Sequence, residues 1–170
     1  NNEIANGVDN ATVLGVGGKA SSDGEFAIGG GKYENSGASA TYSDRKSSVV
    51  NLTGVTEDNT STNLTVNGND GFINVNFNSI VGFEIYITRL EVGGTSATLG
   101  DYSYRNIKGV VQIDSLGNTA FIVGYNRNIG KIGVWGTAAM VGVAKNPPSI
   151  TVSVSDRNNV TNIWSATVTL

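Results

Sequence analysis

The chain has 170 residues, 39% of them apolar and only 15% charged, which is enough chain for one core but too little charge for helices held by Glu/Lys pairs. A net charge of −3, with eleven scattered Lys and Arg and no basic patch, argues against a nucleic-acid partner. The absence of His and Cys removes the commonest general base, the commonest transition-metal ligand and every disulfide or thiolate site, so no metal and no cofactor is expected.

Residues 1–45 are rich in Gly, Ala and Ser and carry too few large apolar side chains to fold alone. They contain an internal echo: Val13-Leu14-Gly15, followed by Gly17-Gly18-Lys19-Ala20, returns about fourteen residues later as Ala27-Ile28-Gly29, followed by Gly31-Lys32. A short apolar pair, glycines and a small-residue turn at that period predict coils of a β-solenoid or a triple-stranded β-prism. Such coils bury apolar residues only against neighbours or partner chains. Val13, Leu14, Phe26 and Ile28 are the residues expected between chains. The competing reading is a flexible Gly/Ser linker.

From Ser47 the pattern changes. SSVVNLTGV reads as a strand, Glu57 to Asn63 as a polar loop, Leu64 to Val66 as a short strand and Asn67 to Gly71 as a turn. Ile73, Val75 and Phe77 then alternate with Asn74, Asn76 and Asn78, which predicts a half-buried strand with one asparagine face in water. Phe83, Ile85 and Ile87 continue the alternation opposite Glu84, Tyr86 and Thr88. Tyr102 to Gly124 reads as a hairpin whose turn is Asp114-Ser115-Leu116-Gly117-Asn118. A loop is expected over Tyr125–Lys131, then a short strand at Ile132–Trp135 and another at Ala138–Ala144. Asn146-Pro147-Pro148 breaks the pattern, because two prolines cannot both sit in a ladder. The clearest strands close the chain: Ile150, Val152 and Val154 alternate with small polar residues, and Ile163 to Leu170 does the same after a turn at Asp156 to Asn159.

No segment reads as a helix, and no apolar run approaches the roughly 18 residues of a membrane span, so insertion into a membrane is not expected. The expected fold is all-β: an antiparallel β-sandwich or barrel over 46–170, preceded by a glycine-rich β-prism or solenoid-like segment over 1–45. Without cysteine, oligomerisation is the natural source of extra stability.

Several stretches in this order carry a resemblance. They are the glycine-rich segment from Gly24 to Lys32, the aromatic and Arg strand from Phe83 to Arg89, Tyr104 to Gly109, GNTAFIVG from Gly117 to Gly124, and the closing pair from Ile150 to Val168. Over roughly residues 20–170 the chain resembles the C-terminal domain of bacteriophage tail fibres and tailspikes. The resemblance implies an intertwined homotrimer at the distal end of a virion tail appendage, extracellular in its action. Its implied partner is a host cell-surface glycan or an outer-membrane protein. The heads of trimeric bacterial adhesins have similar Ala-Ile-Gly repeats, sustained over many coils.

The candidate chemistry is that of recognition. Aromatic faces stack on sugar rings while Asn and Arg replace water on the hydroxyls. Tyr125, Asn126, Arg127 and Asn128, with Trp135 a strand away, form the first such cluster, and Tyr102, Tyr104 and Arg105 the second. Trp164 alternates with Ala166 and Val168 and is assigned to the core. Gly29-Gly30-Gly31-Lys32 lacks the spacing and the following Ser/Thr of a phosphate loop. Asp101, Asp114 and Asp156 sit in turns, where Asp bends the chain through its own side chain. Glu84, Glu91 and Asp101 are the best available carboxylates for glycosidase chemistry, but no G-x-S-x-G elbow or paired-acid motif accompanies them, so no enzymatic activity is expected. The alternatives are a monomeric carbohydrate-binding module of a secreted enzyme, a trimeric adhesin head and a depolymerase domain.

Overall fold

The computed structural model of the chain describes residues 2–30, 46–66, 68, 71–133, 138–145 and 148–170. Every regular element among them is a strand. In chain order these are β1 (Glu3–Ile4), β2 (Thr12–Val16), β3 (Lys19–Ala20), β4 (Phe26–Gly30), β5 (Lys46–Thr56), β6 (Thr62–Leu64), β7 (Ile73–Asn74), β8 (Ser79–Gly93), β9 (Tyr102–Ile113), β10 (Thr119–Ile132), β11 (Ala138–Lys145), β12 (Pro148–Ser155) and β13 (Thr161–Thr169).

Seven strands form one open sheet in the order β10-β9-β8-β13-β5-β4-β2, and β11, β12, β6 and β7 form a smaller one. Among the described residues both edges of the large sheet, β10 and β2, are unpaired, so the architecture is a sandwich and not a closed barrel. Alternation decides which residues meet inside. Val50, Leu52, Phe83, Ile85, Ile87, Ile107, Val111, Ile113, Trp164, Ala166 and Val168 of the large sheet pack on Leu64, Ile73, Ala139, Ile150, Val152 and Val154 of the small one. Each large side chain so buried contributes about 1.5–3 kcal/mol.

The glycine-rich start folds as the repeat requires. β2 runs parallel to β4, with Val13 opposite Ala27 and Leu14 opposite Ile28, and β1 runs parallel to β3. The chain therefore coils, and glycine lets the coil close: a Cβ on Gly29 would lie 2.4 Å from the Gly18 nitrogen and 2.6 Å from the Val16 oxygen. The coil is not a separate layer. β4 also pairs antiparallel with β5, Phe26 facing Val49, which carries the large sheet on to β2. At its other side the Ser22 hydroxyl accepts a bond from the Asn74 N–H at 3.1 Å. The boundary expected near residue 45 falls outside the described residues.

Two strand expectations change. Tyr125–Lys131 is not a loop but the second half of β10, paired with β9 through two register shifts at Val123/Tyr125 and Asn128/Gly130. Those bulges hide the period of two, and an edge strand needs no buried face. The strand expected over Ile73–Asn78 is only two residues long. Val75 donates to the Pro148 oxygen at 3.0 Å, and proline has no N–H to return, so the ladder stops there. The end of the expected Ile132–Trp135 strand, Trp135 included, lies outside the described residues.

Candidate functional site

The outward face of the large sheet is the surface that the core does not use. Reading across paired strands, one row runs Val55, Ile163, Leu90, Tyr102, Ile132. All five are exposed, between 42% and 57%, so the row is an apolar stripe across five strands. The next rows are polar and aromatic: Thr53, Ser165, Thr88 and Tyr104, then Asn51, Thr167, Tyr86, Asn106 and Arg127, then Val49, Thr169, Glu84, Lys108 and Tyr125. Leu14, Phe26 and Ile28 continue this face on β2 and β4 and are exposed, whereas Val13 is half-buried on the opposite side.

The tyrosines are held in place. The Tyr86 and Tyr104 rings stack with centroids 5.6 Å apart and planes 14° from parallel. The Arg127 guanidinium lies 5.6 Å from the Tyr125 ring centre. Beside them the Lys108 ammonium bonds Glu84 at 2.8 Å, and Asn106 Nδ2 donates to the same oxygen at 3.2 Å. Lys108 first, and then the Tyr86 hydroxyl, hold the Glu84 carboxyl below its ordinary range, while the nearby carboxylate raises both Lys108 and Tyr86. Glu84 is thus a paired, ionised group.

Because Tyr125–Asn128 lies on a strand, its side chains alternate. Tyr125 and Arg127 share the outward face with Tyr102 and Tyr104. Asn126 and Asn128 turn to the other face and meet Arg105, whose Nε donates to Asn128 Oδ1 at 3.0 Å and Nη1 to Asn126 Oδ1 at 3.4 Å. Arg105 Nη1 also reaches the Ala139 carbonyl at 3.5 Å. The structure therefore divides the two sequence clusters by face instead of by segment.

A third grouping has no counterpart in the sequence reading. Arg89, Glu91 and Asp156 have side chains 2%, 0% and 0% exposed, and Arg89 Nη1 bonds Glu91 Oε1 at 2.7 Å and Asp156 Oδ2 at 2.6 Å. Arg157 bonds Glu91 Oε1, the Thr98 N–H bonds Glu91 Oε2 at 2.9 Å, and Asn162 Oδ1 accepts from Arg89 at 3.2 Å. Asp156 is therefore more than a turn residue. The signal was present: Phe83, Ile85 and Ile87 put Arg89 and Glu91 on the same inward face, where two charges must find partners. Burial by itself raises the Glu91 carboxyl, but the Thr98 N–H, Arg89 and Arg157 outweigh it and hold the carboxyl below its usual value. Both Glu91 oxygens are engaged, and the Asp101 side chain lies against the Gly133 backbone. Among the described residues no group of His, Cys, Asp and Glu converges to hold a metal ion, and no helix is long and apolar enough to cross a membrane.

No protein-family model and no curated protein matches the chain. Among solved structures it is similar to tailspike protein gp49 of the Acinetobacter baumannii bacteriophage Fri1, a capsular polysaccharide depolymerase, at 13% identity and a TM-score of 0.34, over 73% of this chain and 17% of that one. It is also similar to the tailspike protein of Acinetobacter baumannii phage AM24, at 11% identity and a TM-score of 0.35, over 68% of this chain and 26% of that one. The chain thus spans about a quarter or less of either tailspike's length. These likenesses concern the β-rich fold. They correct one expectation, that of no enzymatic activity, because the Fri1 protein is an enzyme.

Proposed function

We propose that this chain is a distal domain of a phage tailspike or tail fibre, which assembles as a homotrimer in the virion and attaches to a glycan on the host surface. The observation that carries the reading is the outward face of the large sheet, where Tyr86, Tyr104, Tyr102 and Tyr125 stand beside Arg127 and Lys108 on rigid, mutually paired strands. Aromatic groups of this kind supply contact area for sugar rings at small entropic cost, and the polar neighbours replace water on the hydroxyls.

The test is attachment to host cells and to their purified surface polysaccharide. Joint replacement of Tyr104, Tyr125 and Arg127 by Ala is expected to weaken attachment at least tenfold, and unaltered attachment would retire the reading. A monomeric carbohydrate-binding module would use the same rings. The exposed Leu14, Phe26 and Ile28, 39% to 52% accessible in the single chain, favour the oligomer.

A further inference from the structure

Arg105 differs from the other guanidinium groups among the described residues. Arg89 faces two carboxylates, Arg157 bonds Glu91, and Arg127 lies over a tyrosine ring in solvent. Arg105 is half-buried between β9, β10 and β11, and its partners are three neutral oxygens: Asn126 Oδ1, Asn128 Oδ1 and the Ala139 carbonyl. No carboxylate among the described residues neutralises it. Burial is the only influence on its titration, and it lowers the pKa from the ordinary arginine value, although a guanidinium remains charged at any physiological pH.

The two asparagines add a second, independent feature. Each points its carbonyl oxygen at Arg105, which leaves its amide N–H groups beside the guanidinium with no partner among the described residues. Both asparagines are exposed, so the donors face solvent. The guanidinium is held through Nε and Nη1, which leaves Nη2 without a partner among the described residues. A fixed cation with that free N–H group, flanked by amide donors and with no carboxylate of its own, supplies charge-assisted donors for a carboxylate.

We propose that Arg105, Asn126 and Asn128 form a binding site for the carboxylate of an acidic sugar, a hexuronic or ulosonic acid residue of a surface polysaccharide. The Nη2 group, which has no partner among the described residues, takes one carboxylate oxygen, and the Asn126 and Asn128 amides bond the other oxygen and the flanking ring hydroxyls. The choice of a sugar as the bearer of that carboxylate rests on the attachment function proposed above. The site itself lies on the opposite face of the sheet from Tyr104, Tyr125 and Arg127 and stands on separate observations.

The experiment is a nuclear magnetic resonance titration of the full chain with sodium glucuronate, glucose and inorganic phosphate, following the Arg105 Nε–H and the Asn126 and Asn128 amide groups. Glucuronate is expected to move these signals saturably, glucose to leave them in place, and Arg105→Gln to weaken glucuronate binding at least tenfold. Asn126→Ala with Asn128→Ala keeps the charge and is expected to weaken it severalfold, which covers the case in which Arg105→Gln does not fold. Equal responses to glucose or to phosphate, or no response in the wild-type chain, would overturn the site. Host attachment that depends on Tyr104, Tyr125 and Arg127 without any glucuronate response would remove this inference and leave the attachment reading intact. A glucuronate response without such attachment would do the reverse.

Discussion

At the scale of single residues, the most consequential arrangement is the one formed by Arg89, Glu91, Asp156 and Arg157. Two cations and two carboxylates share one buried site, so the desolvation cost of each charge is offset by the others. Removing one partner leaves an uncompensated charge, which costs about 3–5 kcal/mol. Glu91→Gln is therefore expected to lower stability by that amount at neutral pH, read by urea unfolding. An unchanged midpoint would show that the site does not hold the fold. The same carboxyl sets a pH dependence. Its pKa is lower in the folded than in the unfolded chain, so its stabilisation is complete above the ordinary glutamate value of 4.5 and is lost as the pH falls through the lower folded value. Stability of the wild-type chain should decline below that pH, and Glu91→Gln should flatten the decline.

At the scale of elements, the β9–β10 hairpin shows what alternation reveals and what it conceals. Its turn was legible because Asp114 must fold back on itself: Oδ1 accepts from the N–H groups of Leu116 and Asn118, both at 2.8 Å. β12 and β13 were legible because each buries every second residue. The second half of β10 was not, since two bulges reset the period and almost nothing on an edge strand is buried. Reading that half as a loop merged Tyr125 and Arg127 with Asn126 and Asn128, which the strand sends to opposite faces. Close packing between the hairpin and β8 was also invisible in the sequence. The Phe83 and Phe121 rings stack at 5.9 Å over Gly109, where a Cβ would fall 2.5 Å from the Phe83 ring and 2.3 Å from the Ile122 carbonyl oxygen. Gly109→Ala should cost about 1–3 kcal/mol by overpacking. Gly124→Ala, with nothing within 4 Å of the new carbon, should change the melting temperature little. Thermal unfolding of the pair compares the two, and equal melting points would mean that the hairpin relaxes around the added carbon.

At the scale of the whole molecule, no described residue covers the apolar groups on the outward face of the large sheet, from Leu14 on β2 to Ile132 on β10. Burying Leu14, Phe26 and Ile28 between chains would place a charge introduced there in an apolar contact. Ile28→Asp is accordingly expected to lower the light-scattering mass from about three times 17.6 kDa to a single chain, and a retained trimer would dismiss this part of the surface as the interface. The parallel pairing of β2 with β4 has a different kind of consequence. Thr12 lies beside Phe26 and Leu14 beside Ile28, an offset of fourteen residues. Paired residues of parallel strands point to the same side of the sheet, so every outward side chain of one coil sits beside an outward side chain of the next. The coil therefore has a unit of length. Fourteen inserted residues of the same pattern would add a turn with its apolar row still outward and its glycines again where the backbones approach, whereas a shorter or longer insertion would move those glycines away from the close approach at Gly18 and Gly29. Elongation of this segment is thus possible only in whole steps, as with the links of a chain.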